Sequence, residues 1–272
     1  MIAPGPSGRK ARAGAAPSGA WTEGLPLRTM LAAEQELPVG EVPGKRAYVR
    51  EMFTAIAPRY DFLNHLLSLN IDRLWRRAAV AQLGWEPHPA GTYLDVCSGT
   101  MDLAAALGNR RGFSGRVIGA DFVQPMLVRG RGKSARVIPV AADALALPLP
   151  DAALDGATVG FGVRNLADLG AGLREMARVL KPGARLVILE FTTPRFPPLR
   201  AAYFSYFRHV LPAIGRFFSR HGNAYTYLRD SVLAFPEPES LADRMRRAGF
   251  GEVRWRRMTG GICAWHVGSR ES

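Results

Sequence analysis

Acidic and small residues stand at the ends of three predicted strands, which is where parallel sheets bind their ligands. Gly99 lies in the turn after the first strand, Asp121 follows the second strand and Asp143 follows the third. A carboxylate about 20 residues after such a glycine can accept hydrogen bonds from two ribose hydroxyls. A carboxylate at the end of the third strand can accept a hydrogen bond from an adenine amino group. The predicted binding residues are Asp95, Gly99, Thr100, Asp121, Asp143 and Ala144.

The turn after the first strand indicates which adenosyl ligand is favoured. A dinucleotide site needs the pattern G-x-G-x-x-G, so that a pyrophosphate can rest on a helix N-terminus. Residues 98–102 read Ser-Gly-Thr-Met-Asp instead, with one glycine and a nearby acid. This pattern disfavours a phosphate ligand and favours a sulfonium nucleoside. The alternative is a structural role, as a helix cap for Asp95 or a turn former for Asp121 and Asp143.

Short apolar runs alternating with helical patterns must position these residues. Because the runs are apolar on both faces and are joined by crossovers, they indicate a doubly wound α/β fold with a parallel sheet. A helical pattern precedes the sheet over residues 41–84. Near the C-terminus, Val253–Arg257 and Ile262–Val267 are predicted to pair through the Gly260-Gly261 turn. The predicted parallel strands are Tyr93–Cys97, Val117–Ala120, Val137–Val140, Ala157–Gly160 and Leu186–Leu189.

Composition narrows the classes of protein that fit. Residues 1–40 are rich in Gly, Pro, Ala and Arg and lack apolar periodicity, which predicts a disordered extension before one domain over residues 41–272. A transit peptide or a mis-assigned start codon would look similar. Cys97 and Cys263 lie far apart without further ligands, which argues against disulfides and metal and fits the cytoplasm. No apolar run is long enough to predict a transmembrane helix.

Four blocks of the sequence carry a resemblance to a known family. They are Met52–Ser68 with Trp75-Arg76-Arg77, Leu94–Asp102, Phe161–Asn165, and Arg178–Gly183 with Glu190-Phe191. Together they resemble the UbiE/MenG family of ubiquinone and menaquinone biosynthesis C-methyltransferases, over residues 49–268. The resemblance implies a class I, Rossmann-like methyltransferase with a mostly parallel seven-stranded sheet and helices on both faces. It also implies S-adenosylmethionine as cofactor, with contacts at Thr100, Asp121 and Asp143-Ala144.

Two positions depart from the family pattern. Met101 stands where the family usually has glycine, which crowds the turn and restricts its backbone. Gly160 stands where some members carry a serine that contacts the cofactor. Since neither change removes an acidic residue, we expect altered cofactor affinity and retained activity.

The resemblance also implies the acceptor, a polyprenylated quinol ring such as demethylmenaquinol or 2-methoxy-6-polyprenyl-1,4-benzoquinol. A ring carbon becomes nucleophilic when the neighbouring hydroxyl loses its proton. Arg164 is the candidate to stabilise that phenolate, with Asn165 orienting it; because arginine stays protonated, it would hold a water or lower the hydroxyl pKa. Tyr60 and Asp61 are predicted to complete the pocket from the N-terminal helices, which the resemblance suggests form a lid. The alternatives are a solvated turn for Arg164 and Asn165 and core packing for Tyr60.

Residues 191–235 form a predicted basic and aromatic helical insertion. Between Phe191 and Arg229 there are six arginines and no acidic residue, and the formal net charge of the chain is +13. Aromatic side chains enter a lipid interface and arginines bind anionic headgroups, so we expect peripheral contact with a membrane surface, at its inner face. A homodimer face or a solvated helix is the alternative.

Three rival functions fit parts of the sequence. An RNA methyltransferase would explain the basic and aromatic residues. However, residues 160–165 read Gly-Phe-Gly-Val-Arg-Asn and lack the Asn/Asp-Pro-Pro-aromatic motif of base-directed enzymes, so we expect no nucleic-acid partner. Met101 and Gly160 would fit a non-catalytic scaffold that binds S-adenosylmethionine. A small-molecule O-methyltransferase would usually carry a metal or a histidine base, and we find neither arrangement.

Overall fold

The computed structural model describes Met1, residues 44–210 and residues 223–272. The predicted disordered extension lies outside the described residues, apart from Met1. Residues 211–222 of the predicted insertion also lie outside them.

One mixed sheet of seven strands organises the described residues. Its strand order is β3-β2-β1-β4-β5-β7-β6, and β1 to β5 are parallel while β7 pairs antiparallel with β5 and β6. This confirms the predicted doubly wound α/β fold and its C-terminal pair. The strands are β1 Thr92–Val96, β2 Arg116–Asp121, β3 Val137–Ala141, β4 Leu154–Gly160, β5 Leu180–Phe191, β6 Phe250–Met258 and β7 Cys263–Arg270.

The strand β5 is longer than the predicted Leu186–Leu189. It begins at Leu180, and its register against β4 shifts between the pairs Leu154–Leu180 and Gly156–Arg185. Its first half contains the exposed residues Lys181, Pro182 and Gly183, so an apolar run marks only the buried half. In that half, the four residues Leu186–Leu189 are fully buried between the two helical layers.

Helices cover the sheet, and three of them fall in the region 41–84 that was predicted to be helical. A 3₁₀ turn, Ala57–Arg59, joins α1 to α2. The helix α6 begins at an Asp168 cap, whose carboxylate accepts the Ala171 N–H at 2.8 Å. The helices are α1 Lys45–Ile56, α2 Tyr60–Leu67, α3 Ile71–Gln82, α4 Asp102–Gly108, α5 Gln124–Gly130, α6 Leu169–Val179, α7 Pro197–Ser205, α8 Asn223–Ala234 and α9 Pro238–Arg247.

Met101 occupies a backbone conformation that favours glycine. Its φ is 63° and its ψ 28°, immediately before α4, so a residue with a Cβ occupies the left-handed region at this turn. The side chain is nevertheless 1% exposed and fills space left by two glycines. A Cβ at Gly119 would lie 2.9 Å from the Met101 sulfur, and one at Gly130 would lie 2.7 Å from its methyl carbon. Packing therefore offsets the backbone strain.

Because strain and packing oppose each other at Met101, truncation should separate them. We expect M101A and M101G both to lower the free energy of unfolding, since each leaves a cavity. M101G should be more stable than M101A by about 1 kcal/mol, because only glycine relieves the left-handed backbone.

Urea denaturation of the two variants measures this difference. The control is A47G on the exposed side of α1, where glycine should cost about 1 kcal/mol relative to alanine. If M101A equals or exceeds M101G in stability, the turn holds no backbone strain.

Candidate functional site

A cleft opens at the carboxyl edge of the sheet, where β1, β2 and β4 end. We call it the sheet-edge cleft. Of the residues predicted to bind the cofactor, Gly99, Asp121, Asp143 and Ala144 line it. Asn165 lines it as well, from the turn after β4. The row of residues expected from strand ends is thus present in the structure.

Asp121 fixes the turn that follows β1. One carboxylate oxygen accepts the Gly99 N–H and the other accepts the Val123 N–H, both at 2.8 Å. Burial raises the pKa of Asp121, and the two backbone hydrogen bonds oppose part of that rise. Since a carboxylate offers about four lone-pair sites, two remain for a diol in the cleft.

Asp143 closes the opposite side of the cleft. Its Oδ1 accepts the Leu145 N–H at 3.0 Å, and its Oδ2 pairs with the Arg46 guanidinium at 2.9 Å. Arg46 belongs to α1, so this ion pair joins the N-terminal helices to the third strand's loop. Arg46 was not predicted from the sequence, because it lies in a helix and not at the end of a strand.

Asp95 and Thr100 hold the loop and do not line the cleft. The Asp95 carboxylate is 1% exposed and accepts the Ala104 N–H at 3.0 Å and the Thr158 hydroxyl at 2.9 Å. Burial raises its pKa to about 7. The Thr100 hydroxyl donates to Asp61, and its side chain is buried. Asp95 thus joins β1 to β4 and to the start of α4, which is the helix-cap role given above as the alternative, whereas Thr100 joins the loop to α2.

Asp61 belongs to a network of ion pairs next to the loop that follows β1. The Lys133 ammonium contacts Asp61 at 2.6 Å and Asp102 at 2.5 Å. Asp102 also lies 3.5 Å from Arg76, which pairs with the buried Asp72. The network connects α2, α3 and α4, and it gives Asp61 a structural role that the sequence did not indicate.

A second, apolar cavity of about 320 Å³ adjoins the cleft. Helices α1, α2, α3, α7 and α8 and the turn before β7 form its walls, and we call it the apolar cavity. Most of its lining is aromatic or aliphatic. Phe53, Tyr60 and Phe161 line both the apolar cavity and the sheet-edge cleft, so the two spaces meet at these three rings.

Arg164 lies in the apolar cavity, in the short 3₁₀ turn after β4. Its guanidinium pairs with Glu190 at the end of β5 at 2.8 Å and also donates to the Phe161 carbonyl. The side chain is 7% exposed, and its carbon Cζ lies 5.5 Å from the centre of the Phe191 ring. Burial raises the pKa of Glu190, while the adjacent guanidinium opposes the rise. The site therefore presents a buried arginine fixed by a buried carboxylate.

The turn that carries Arg164 is held from two further sides. The Lys45 ammonium, 2% exposed on α1, donates to the carbonyls of Arg164 and Leu166, both at 2.8 Å. The Asn165 amide oxygen accepts the Tyr227 hydroxyl of α8 at 3.2 Å. Asn165 thus anchors the turn to the insertion, whereas Glu190 and the Phe161 carbonyl orient Arg164. A lone lysine in an amphipathic helix gave no sequence signal for this contact.

The donors and acceptors of the cleft fit the nucleoside of S-adenosylmethionine. Asp121 and Asp143 supply carboxylate oxygens where a phosphate would be repelled. The three rings at the junction suit a cationic sulfonium, because aromatic faces attract positive charge. Among residues 44–210 and 223–272 there is no cluster of side chains that could hold a metal ion. In the same residues, no helix is long and apolar enough to cross a membrane.

Comparison with known proteins agrees with this geometry. The profile of the ubiE/COQ5 methyltransferase family matches residues 42–270. A demethylmenaquinone methyltransferase from Deinococcus radiodurans is 48% identical over 88% of this chain and 100% of its own length. The ubiquinone/menaquinone biosynthesis C-methyltransferase UbiE from Geobacter sulfurreducens is 42% identical over 87% of this chain and 94% of its own length.

Solved structures show the same fold at lower identity. An S-adenosylmethionine-dependent methyltransferase from Thermotoga maritima superposes with a TM-score of 0.58, covering 81% of this chain and 99% of that one, at 20% identity. The match of the family profile and the identity of the relatives go further than the fold. This chain is a methyltransferase that belongs to the ubiE/COQ5 methyltransferase family.

Proposed function

We propose that this protein transfers a methyl group from S-adenosylmethionine to a ring carbon of a polyprenylated quinol. Demethylmenaquinol, converted to menaquinol, is the first candidate, and 2-methoxy-6-polyprenyl-1,4-benzoquinol is the second. The observation that carries the proposal is that a cleft carrying Asp121 and Asp143 meets an apolar cavity at Phe53, Tyr60 and Phe161. The names of the relatives, which refer to demethylmenaquinone and to ubiquinone and menaquinone biosynthesis, support it.

The cofactor side of the site is the sheet-edge cleft. Asp121 would accept the ribose hydroxyls and Asp143 the adenine amino group, with Ala144 and Gly99 allowing close approach. When bound there, S-adenosylmethionine supplies an electrophilic methyl on a sulfonium. Tyr60 and Phe161 would face that positive charge, and their bulk would exclude water from the junction.

The acceptor side is the apolar cavity. Arg164 would donate to the ring hydroxyl next to the carbon that is methylated, and its charge would lower the pKa of that hydroxyl. A water molecule held beside Arg164 would take the hydroxyl proton, because arginine stays protonated. The resulting phenolate delocalises onto the ring carbon and makes it nucleophilic, and after methyl transfer this carbon loses its own proton to water, which restores the aromatic ring. Glu190 keeps the guanidinium in place, and the low local dielectric strengthens its effect on the ring oxygen. A fixed hydrogen-bond donor of this kind is worth about two to three orders of magnitude in rate.

The insertion would bind the prenyl tail and bring the enzyme to the membrane surface. Tyr203 of α7, Phe207 of the π-helical turn Tyr206–Val210 that follows it, and Leu228 of α8 line the apolar cavity. Phe196, immediately before α7, is 65% exposed. Together with the arginines of this segment, such side chains suit an anionic lipid surface at the inner face of the membrane.

Cosedimentation with anionic vesicles tests this contact. Protein that stays in the supernatant at low salt would contradict it. A homodimer through the same surface is the alternative.

The proposed reaction is tested with purified protein and methyl-labelled S-adenosylmethionine. Reduced demethylmenaquinone and the reduced methoxy-benzoquinone are offered separately, and products are identified by mass and NMR. We expect the label on a ring carbon of at least one acceptor, and the ratio of rates then ranks the two. Label on oxygen, or no transfer to either ring by a protein that binds the cofactor, would contradict the proposal.

Variants of the buried ion pair separate catalysis from folding. R164Q should lower kcat by about 100-fold or more. It should also destabilise the fold by about 3 to 5 kcal/mol, because Glu190 is left buried and unpaired.

The double variant R164Q/E190Q removes that unpaired charge. Its thermal stability should return close to wild type, while kcat stays low because no cation faces the ring oxygen. Recovery of both stability and kcat in the double variant would make Arg164 a purely structural residue.

The ion pair between Arg46 and Asp143 should retard release of the cofactor. Because Arg46 is largely exposed, R46A should change the stability little. It should raise the dissociation rate of S-adenosylmethionine about three- to fivefold, since α1 is no longer tied to the edge of the cleft. Stopped-flow displacement measures the rate, and R50A, an exposed arginine of the same helix, is the control. Equal rates in R46A and R50A would exclude this role.

A further inference from the structure

Two buried donors of the apolar cavity have no hydrogen-bond partner among the residues that the structure describes. One is the Tyr203 hydroxyl on α7, in a residue that is 7% exposed, and the other is Nε of Arg164. A buried polar group without a partner destabilises the folded state. Groups of this kind persist where a ligand satisfies them, so the two donors indicate what the cavity binds.

Packing holds the Tyr203 ring in place. Its centroid lies 4.4 Å from that of Phe207 and 6.0 Å from that of Phe204. Other tyrosine hydroxyls of the same cavity are bonded within the protein: Tyr227 donates to Asn165 at 3.2 Å, and Tyr206 donates to the Leu67 carbonyl at 3.0 Å. The missing partner is thus particular to Tyr203 and does not reflect a general lack of acceptors around the described part of the insertion.

Burial keeps the Tyr203 hydroxyl protonated, so that it remains a donor. Burial raises the pKa of the hydroxyl, and the Arg164 guanidinium opposes only part of the rise. Tyr203 and Arg164 both line the apolar cavity. A neutral donor and a cationic donor therefore face one apolar space, and both require oxygen acceptors.

We propose that Tyr203 binds the second oxygen of the quinol ring, para to the oxygen that Arg164 holds. This inference rests on the proposed function and adds a substrate-binding residue to it. A quinol carries two oxygens on opposite sides of an otherwise apolar ring, which matches two separate donors in an apolar cavity. With both oxygens held, the ring can present only one edge to Tyr60 and Phe161, so Tyr203 contributes to the choice of the carbon that is methylated.

The test compares two acceptors in wild type and Y203F. The first is a short-chain demethylmenaquinol, and the second is the matching 3-prenyl-1-naphthol, which keeps the hydroxyl beside the methylated carbon and lacks the second oxygen. The intrinsic reactivities of the two rings differ, but they are the same for both proteins. The change in the ratio of kcat/KM values between the proteins therefore isolates the contact to Tyr203.

We expect Y203F to lower kcat/KM for the diol about tenfold and to leave the naphthol within about twofold. The dissociation constant of S-adenosylmethionine should stay unchanged. The melting temperature of Y203F without ligand should rise by about 2 °C or more, because a buried hydroxyl without a partner is removed. Y93F is the matched control. Tyr93 lies on β1, and its hydroxyl donates to the His88 carbonyl at 3.0 Å. Loss of this hydrogen bond should lower the melting temperature and leave the ratio of kcat/KM values for the two acceptors unchanged.

Three outcomes would overturn the inference. An equal loss on both acceptors, or on neither, would show that Tyr203 does not bind the second oxygen. A lower melting temperature in Y203F would show that the hydroxyl is already satisfied in the free protein. Failure of the wild-type enzyme to methylate either ring would refute the proposed function itself, and with it this inference.

Discussion

The buried ion pair between Arg164 and Glu190 is the interaction on which the rest of the site depends. It joins the turn after β4 to the end of β5, whose C-terminal half is buried. Lys45 of α1 and Tyr227 of α8 bond to the same turn. The N-terminal helices, the sheet and the insertion therefore all contact the turn that carries Arg164. A shift of this turn would therefore move the N-terminal helices and the insertion, which both form walls of the apolar cavity.

Burying these charges is unfavourable unless each one is paired, and the fold meets that requirement in two ways. Carboxylates at the strand ends accept backbone N–H groups, as Asp121 does from Gly99 and Val123. Away from the strands, Lys133 and Arg76 join carboxylates from three helices. Both arrangements are made by contacts within the chain. Preorganised charge of this kind needs no rearrangement when charge develops during a reaction.

The sequence predicted the sheet, most of its strands and the residues at the strand ends, because apolar runs and their ends repeat regularly. It could not tell which way a strand-end side chain points. Asp95 was predicted with Asp121, yet its carboxylate turns inward to Thr158 and the start of α4. Lys45 and Tyr203 were missed for a different reason. Lys45 bonds to the turn that carries Arg164, and Tyr203 lines the same cavity as Arg164, although these residues are far apart along the chain. No local pattern marks such placement.

We propose that the buried Arg164 favours the ionised form of a ring hydroxyl in an otherwise apolar cavity. The direct measurement is the pKa of a prenylated naphthol bound to the protein with S-adenosylhomocysteine, followed by its ultraviolet absorbance as pH is varied. Burial alone would raise that pKa above its value in water, whereas a fixed guanidinium lowers it. We predict a decrease of about one unit or more. An unchanged or increased pKa would contradict the account, because Arg164 would then not promote formation of the phenolate.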